Sequence, residues 1–427
     1  MSRWILTALL AVPVLVGCGV NPVTGERELR LISEREEIAI GNEHYGPTQQ
    51  SMGGPYNADS ALVEYVNEVG QRVAEKSGRP GLPYEFVVLN DSVPNAWALP
   101  GGKIAINRGL LLAMENEAEL AAVLGHEIVH SAARHGAQRM ERGMVLQAGV
   151  AAVGLATRDH DLHALIVGGA GVGAVLISQK NSRNAELESD YYGTRYMAAA
   201  GYDPEGAVTL QQKFVALAGA GDRNWLDGLF ASHPPSQERV EANRRTARQL
   251  REKYDGAFRH GLGAERYARH MRALYESQEA YAAYDQGRSA LAGGDAVRAL
   301  ALADSAVAAY GEEAAFHALR GAALIELGRD DEAEAVLDHA LSLNGHYFAI
   351  HLERGLLAER RGDHRQARDH LERSNQLLPT APAHFTLGAL AEQRGDGGAA
   401  ARHYRAAAES DSDYGRRARR ALSRLEG

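Results

Sequence analysis

Residues 126–130 have the sequence HEIVH, which combines the residue types and the spacing of a metal-dependent hydrolytic site. In a helix, residues four apart lie one turn apart on the same face, so His126 and His130 can reach one metal ion. Glu127 is then placed to take a proton from an attacking water and to deliver it to a leaving amine. The segment therefore predicts a metallohydrolase.

One helix, residues 116–140, is predicted to present this motif. Asn116 and Glu119 form a capping-box pattern at its start. The motif is flanked by the apolar residues Leu120, Val123 and Leu124, which predict a buried helix. Two surface histidines on an amphipathic helix are the alternative for so short a motif. A buried glutamate between two histidines, however, requires a function.

The sequence restricts the other ligands of such a site. The one cysteine, Cys18, excludes a cysteine-cluster site, so His, Asp or Glu must hold the metal. Zinc is the default ion for a nitrogen-rich site. A metzincin-type third histidine would stand six residues after His130, where the chain has Gly136, and His135 is out of register. A glutamate from another helix is the remaining solution.

Residues 182–190, SRNAELESD, contain such a glutamate. Glu186 and Asp190 are four apart and share a helix face, so Glu186 can ligate the metal. Asp190 can then accept a hydrogen bond from the outer N–H of a ligating histidine. Glu188 falls on the other side of that helix and is expected to be solvated. A fully solvated acidic face without any ligand is the alternative.

The N-terminus has the pattern of a secretory signal, with Arg3 ahead of an apolar run too short to span a bilayer. Residues 15–18, LVGC, resemble the bacterial lipobox, whose cysteine is lipidated. We therefore predict a signal peptide at residues 1–17 and a lipid anchor on Cys18. Gly19 after the cysteine resembles enterobacterial sorting to the outer membrane, on its periplasmic face. An ordinary cleaved signal with an incidental cysteine is the alternative.

Three short segments between the first helices and the HEIVH motif predict a small antiparallel sheet. Residues 86–89, 95–99 and 103–106 are β-like, and the intervening PGG of residues 100–102 is a strong turn signal. The chain after this sheet has helical patterns. Two apolar, glycine- and alanine-rich runs at residues 144–177 predict a helical hairpin, either buried in protein or in contact with a membrane.

The C-terminal third is a repeat array with a period of 33 or 34 residues. Three sets of small residues share this period: Gly287, Gly321, Gly355 and Gly388; Ala299, Ala333, Ala367 and Ala400; and Gly294, Gly328, Gly362 and Gly395. This is the length of the tetratricopeptide repeat, a helix–turn–helix unit. We expect small residues where the two helices of a unit cross, and the third set in the turns.

Together these patterns predict a mostly α-helical protein with two folded parts. The first is an α+β zincin-type metallopeptidase domain with a small antiparallel sheet, at residues 18–270. The second is an α-solenoid of about four tetratricopeptide repeats, at residues 276–420. The apolar content of 45% is enough for more than one core. The net charge of −9 argues against a nucleic-acid partner.

The chain resembles the gluzincin peptidase family that includes HtpX, the CAAX prenyl protease and the mitochondrial Oma protease. It is most similar to the periplasmic, BepA-like (beta-barrel assembly-enhancing) branch, in which tetratricopeptide repeats follow the peptidase domain. Besides the HEIVH helix, the matching stretches are NPVTG at 21–25, NAWALPGG at 95–102, residues 182–190 and the pair His233-Pro234. The resemblance implies one zinc ion per chain with Glu186 as the third protein ligand. Ser189 departs from the family's usual alanine without disturbing a ligand.

The resemblance implies two further sites. The family has an edge strand to which a peptide substrate adds through main-chain hydrogen bonds. The corresponding residues here are 103–106, or Ala96, Trp97, Ala98 and Leu99. His233 aligns with a histidine that can take the fourth zinc position and hold the enzyme latent. A hairpin without a substrate role and a loop histidine without a metal contact are the alternatives.

These observations predict a zinc metalloendopeptidase of the bacterial cell envelope with Glu127 as its general base. Its expected partners are polypeptide substrates and proteins that bind the concave face of the repeat arm. By resemblance, the targets are misassembled outer-membrane proteins or their assembly machinery. A non-catalytic scaffold with a structural or latent zinc site is one alternative, although Glu127 argues against it. An enzyme whose glycine- and alanine-rich hairpin inserts in a membrane is another.

Overall fold

The computed structural model describes residues 18–145, 181–219 and 230–426. The predicted signal peptide and nearly all of the predicted hairpin at residues 144–177 lie outside the described residues. Within the described part of the chain, no helix combines the length and the apolar character needed to cross a bilayer.

The chain up to residue 276 folds into helices around two small sheets. Its helices are α1 (Glu34–Ser51), α2 (Ser60–Ala74), α3 (Arg108–Ala113), α4 (Glu117–Ala132), α5 (Arg183–Ala199), α6 (Glu205–Gly219), α7 (Gln237–Lys253), α8 (Ala264–His270) and α9 (Arg272–Glu276). Its strands are β1 (Cys18–Val20), β2 (Arg27–Leu29), β3 (Glu85–Leu89), β4 (Ala96–Leu99) and β5 (Lys103–Asn107). A further helical stretch, residues 135–145, follows α4.

Strand β5 is buried along its whole length and lies in the centre of a three-stranded sheet, in the order β3-β5-β4. β4 and β5 pair antiparallel across the PGG turn, where Gly101 and Gly102 have φ angles of 78° and 86°. β3 pairs parallel with β5, so the prediction of an antiparallel sheet is wrong for this strand. Apolar patterns specify strands but not their neighbours, and the buried strand β5 separates β3 from β4.

Helix α4 lies in the core of the peptidase domain, and all of its residues are buried. Asn116 caps it as predicted and accepts a hydrogen bond from the Glu119 backbone N–H at 2.9 Å. The helix ends at Ala132, so the prediction of one helix to residue 140 is wrong. Arg134 adopts a left-handed backbone with φ of 62°. Its buried guanidinium pairs with the carboxylates of Glu28, Glu37 and Glu141. These tertiary ion pairs stabilise a helix break that the local sequence does not indicate.

The repeat arm consists of successive helix pairs followed by a terminal helix. Its helices are α10 (Gln278–Ala292), α11 (Ala296–Ala309), α12 (Ala314–Glu326), α13 (Asp330–Leu343), α14 (Phe348–Arg360), α15 (His364–Leu377), α16 (Ala381–Gln393), α17 (Gly397–Ala408) and α18 (Asp413–Glu426). The predicted fold class, a mostly helical protein with a repeat solenoid, is thereby confirmed.

The three sets of periodic small residues have the predicted roles. A Cβ added at Gly321 would lie 2.6 Å from Leu337, and one at Gly355 would lie 2.7 Å from Leu371. The alanines of the second set are buried. The glycines of the third set stand in the turns with φ angles of 83°, 72°, 81° and 77°. Each unit therefore depends on small residues for close helix crossing and on glycine for its turn.

The repeat arm packs directly against the peptidase domain. Tyr281 of α10 belongs to the apolar cluster of the peptidase core. The guanidinium of Arg108 lies 3.6 Å from the centre of the Tyr281 ring. Gln50 of α1 donates to the carbonyl of His346 at 2.8 Å and accepts from the N–H of Phe348 at 2.9 Å. Apolar, cation–π and hydrogen-bond contacts thus join the two parts.

Candidate metal centre and active site

Helices α4 and α5 bring the predicted metal ligands together. The Nε2 atoms of His126 and His130 lie 3.1 Å apart. The two helices cross at Gly125 and Gly193, where a Cβ added to either would lie less than 3 Å from the backbone of the other helix. Because the helices approach so closely, Glu186 reaches both imidazoles. Its Oε1 is 3.3 Å from His130 Nε2 and its Oε2 is 3.4 Å from His126 Nε2.

His233 completes the cluster from the segment before α7. Its Nδ1 lies 3.1 Å from Glu186 Oε1 and 3.2 Å from His126 Nε2. The donor atoms of His126, His130, Glu186 and His233 all lie within 4.8 Å of one another, and the four side chains are buried. Three imidazoles and one carboxylate are a donor set typical of a zinc site. The residues present therefore fit a single metal ion.

Asp190 is placed to orient His126. The Nδ1 of His126 lies 2.9 Å from Asp190 Oδ1. Arg239 donates to the same carboxylate through Nε at 2.6 Å and Nη2 at 2.7 Å, and its Nη1 is 3.0 Å from Glu186 Oε2. Burial alone would raise the pKa of Asp190, but Arg239 outweighs it and the pKa is lowered. Asp190 thus stays ionised, and Arg239 is engaged in a structural ion pair.

His135 contacts the other histidine of the motif, and sequence reasoning missed this contact. The Nδ1 atoms of His130 and His135 lie 2.8 Å apart, and His135 Nε2 is 3.3 Å from Glu188 Oε1. That oxygen is buried without a hydrogen bond, but the side chain of Glu188 is 25% exposed, so the expected solvation of Glu188 is only partial. The break at Arg134 turns His135 back toward His130. A histidine five residues after the motif was the available signal, but it is out of register for a continuous helix.

Glu127 lies beside the cluster with one unpaired oxygen. Its side chain is 2% exposed, and its Oε1 lies 3.5 Å from His233 Nε2. Its Oε2 has no hydrogen-bond partner among the described residues. Burial raises the pKa of Glu127 against the opposing attraction of His233 and His126. The adjoining cavity has a volume of about 30 Å³, more than the roughly 10–15 Å³ that one water molecule needs. This arrangement is closed to a peptide.

Of the two candidate edge strands, the structure places β4 at the edge of the sheet and β5 at its centre. The carbonyl of Leu99 accepts a hydrogen bond from Ser131 Oγ of α4 at 3.0 Å. Ala96 lines the cavity beside Glu127. Trp97 is buried and packs edge-on against Tyr45, with ring centroids 6.0 Å apart. The edge strand therefore runs next to the motif helix.

Comparisons with known proteins agree with this geometry. The sequence profile of peptidase family M48 matches residues 60–247. The mitochondrial metalloendopeptidase OMA1 of Schizosaccharomyces pombe is 32% identical over 252 residues, which cover 56% of this chain and 70% of that protein. The beta-barrel assembly-enhancing protease of Escherichia coli is 27% identical over 229 residues, which cover 52% of this chain and 45% of that protein.

The Arabidopsis OM64 TPR domain is 20% identical, and the match covers 28% of this chain and 98% of that domain. With a TM-score of 0.27, this match adds no evidence beyond the helix pairs described above.

The matched M48 region contains the whole cluster of His126, His130, Glu186 and His233. The chain spans 45% of the length of the Escherichia coli relative and 32% of that of the Arabidopsis thaliana OMA1. On its match to the Schizosaccharomyces pombe protein, the chain belongs to peptidase family M48 and is a metalloendopeptidase.

Proposed function

We propose that this metalloendopeptidase is zinc-dependent and that His126, His130 and Glu186 hold one zinc ion. The observation that carries the proposal is the convergence of these buried donor atoms beside the unpaired carboxylate oxygen of Glu127. A purely structural metal site has no use for a buried, unpaired carboxylate next to its ligands. The arrangement therefore supports hydrolysis.

Zinc held in such a site would polarise a substrate carbonyl and lower the pKa of a water molecule bound there to about 7. Glu127 accepts a proton from the attacking water and returns it to the nitrogen of the leaving amine. The burial of this carboxylate beside the ligands places it where it can accept that proton. Asp190, kept ionised by Arg239, holds the imidazole of His126 in one tautomer and orientation.

We also propose that His233 holds the enzyme in a latent state. Its Nδ1 lies beside Glu186 and His126, where a fourth ligand would stand, and its Nε2 approaches Glu127. Catalytic zinc sites keep one position open for water or substrate, and a fourth protein ligand fills it. Displacement of His233 would free Glu127 and open the fourth position to water or substrate.

The proposed substrate is an extended polypeptide that adds to β4, the strand of Ala96, Trp97, Ala98 and Leu99. The repeat arm offers a concave surface to protein partners. One relative is named a beta-barrel assembly-enhancing protease. That name supports misassembled β-barrel proteins or their assembly machinery as targets. The LVGC pattern of residues 15–18 supports a lipid anchor on Cys18 at the periplasmic face of the outer membrane.

A second candidate function, a non-catalytic scaffold, is favoured by the position of His233. If His233 ligates the metal in every state, the site is permanently closed and the repeat arm alone carries the function. The unpaired oxygen of Glu127 argues for the peptidase, because a permanently closed site needs no general base.

The test compares proteolysis of an unfolded protein by the chain from Gly19 onward and by its Glu127→Gln and His233→Ala variants, with bound zinc quantified in each. We expect activity in the wild type, loss of activity in Glu127→Gln with zinc still near one per chain, and a gain in His233→Ala. If all three are inactive with zinc fully bound, the scaffold function replaces the peptidase.

A further inference from the structure

We propose that the cavity beside Glu127 binds a short substrate side chain that ends in a hydroxyl or a carboxamide. The proposal rests on the peptidase function above and specifies which peptide bonds the enzyme cuts. Because Glu127 and His126 both line this cavity, a side chain inside it belongs to a residue directly next to the scissile bond.

The size and the walls of the cavity limit the side chain that it can hold. Leu110, Val123, Leu210 and Phe214 supply apolar walls, and the volume is about 30 Å³. Space of this order holds a few heavy atoms at most. Side chains much larger than that of asparagine, such as those of phenylalanine, lysine and arginine, are therefore excluded.

Two buried amides lie in the cavity wall without the partners that buried polar groups need. Gln211 of α6 is 4% exposed and makes no hydrogen bond to any described residue. Asn243 of α7 is 2% exposed. Its Nδ2 donates to the carbonyl of Ala207 at 3.3 Å, but its Oδ1 has no partner within the described chain. Unpaired amides at a cavity wall indicate a polar ligand, since buried polar groups are otherwise hydrogen-bonded.

The orientation of the amides specifies the chemistry of that ligand. The Asn243 Oδ1 can only accept, so the ligand must carry a donor. No hydrogen bond restrains the Gln211 amide, which can therefore present either its oxygen or its N–H₂. A carboxylate tip has no donor and would meet the carboxylate of Glu127. Arg239, the cation in the wall, is already paired with Asp190. A neutral tip, that of serine, threonine or asparagine, fits these requirements.

The competing explanation is a structural water that bridges the two amides and never gives way to substrate. The two explanations differ in their consequence for specificity. A site built to hydrogen-bond a substrate hydroxyl rejects the isosteric side chain that lacks it, because the amides are then left unpaired. A permanent water makes the enzyme indifferent to that change.

The experiment uses the zinc-loaded full-length chain. Cleavage sites in a denatured protein are mapped by mass spectrometry, and we expect serine, threonine or asparagine to be enriched at one position directly next to the cut. Peptides with threonine or valine at that position are then compared. Valine should lower kcat/KM about 10-fold, and Gln211→Met should reduce this discrimination to about 2-fold or less. Gln212→Met, at the exposed neighbouring position, is the matched control and should retain it.

Absence of any enriched residue, equal cleavage of the two peptides, or discrimination that survives both Gln211→Met and Asn243→Leu would overturn the proposal. If the wild type and His233→Ala both bind zinc but cut nothing, the peptidase function fails, and the cavity is tested by binding instead. Zinc-loaded Glu127→Gln should bind the threonine peptide about 10-fold more tightly than the valine peptide. Equal binding would contradict the proposed site independently of catalysis.

Discussion

The peptidase domain and the repeat arm differ in how many charged side chains they bury. Next to the metal centre, Arg239 is buried against Asp190 and Glu186, and at the end of α4 Arg134 is buried among three carboxylates. In the arm, the helix pairs are held mainly by alanine, glycine and leucine, as at Gly355 and Leu371. Removing charges from water is costly, whereas close apolar packing is not. Buried ion pairs therefore require a reason in this domain.

The contacts of Arg239 and Arg134 give this reason. Arg239 keeps Asp190 against His126 on one side of the cluster. Arg134 holds the helix break that turns His135 toward His130 on the other side. Asp190 thus supports His126 directly. His130 is supported by His135, which in turn lies beside the carboxylate of Glu188. We infer that the buried charges of the peptidase domain serve orientation, whereas the buried Arg354 of the arm joins α14 to Glu334 and Asp338 of α13.

The largest expected effect is a loss of stability in the peptidase domain when the buried Arg134 is replaced. It tests whether the buried charges of this domain are needed. In Arg134→Met, the buried carboxylate of Glu141 loses its charged partner, whereas Glu37 keeps its ion pair with Arg79. We expect the free energy of unfolding to fall by about 3–5 kcal/mol, measured by urea unfolding. Arg244→Met, at an exposed position in α7, should change it by less than about 0.5 kcal/mol. A loss in Arg134→Met as small as in this control would show that the network is dispensable.

The support of His130 by His135 predicts a smaller effect, on metal affinity. His135→Leu removes the acceptor for the outer N–H of His130, and zinc affinity should fall about 10- to 100-fold in competition with a chelator. His135→Gln should restore most of it, because an amide can accept from His130 and donate to Glu188. His364→Leu, at an exposed position of the arm, is the control. Equal affinities in the Leu variant and the wild type would refute the supporting role.

The two parts also differ in the protonation of their histidines. Burial alone would lower the pKa of His126, but the carboxylates of Glu186 and Asp190 outweigh it and raise the pKa to about 10. Burial lowers the pKa of His384 in the arm to about 4. Without metal, His126 is therefore protonated at pH 7, whereas His384 is neutral.

Zinc uptake should consequently release about one proton per chain near pH 7, because the ligand must be deprotonated. Zinc affinity should rise about tenfold per pH unit from pH 7 until it levels off near the pKa of His126. Calorimetry in buffers of different ionisation enthalpy measures the released proton. The variant His384→Gln should leave this number unchanged. Metal uptake without proton release would mean that His126 is neutral before zinc binds.

The smallest expected effect is in the arm. In Gly355→Ala, the added Cβ would lie 2.7 Å from the side chain of Leu371. The arm should lose about 1–2 kcal/mol of stability, because overpacking outweighs the better helix propensity of alanine. Zinc affinity should not change. Gly398→Ala in α17, where the nearest neighbouring atom would lie 3.7 Å from the added Cβ, should instead stabilise by up to about 1 kcal/mol.

Much of the candidate site was predictable because its signals are local. The HEIVH spacing, the Asn116 cap and the Glu186–Asp190 pair each depend on the geometry of one helix. The repeat array was predictable because close helix crossing and turn conformation select small residues at a constant period. The sequence by itself therefore determined the motif helix, the facing acidic helix and the solenoid.

Only the tertiary structure decided which distant segments meet. The parallel pairing of β3, the edge position of β4, the helix break at Arg134 and the contact of His135 with His130 all depend on long-range partners. The unpaired amides of Gln211 and Asn243 likewise become visible only when α6 and α7 close one cavity. A local pattern encodes the face that a residue presents within its own element. The groups that lie opposite that face depend on packing between elements far apart in the chain.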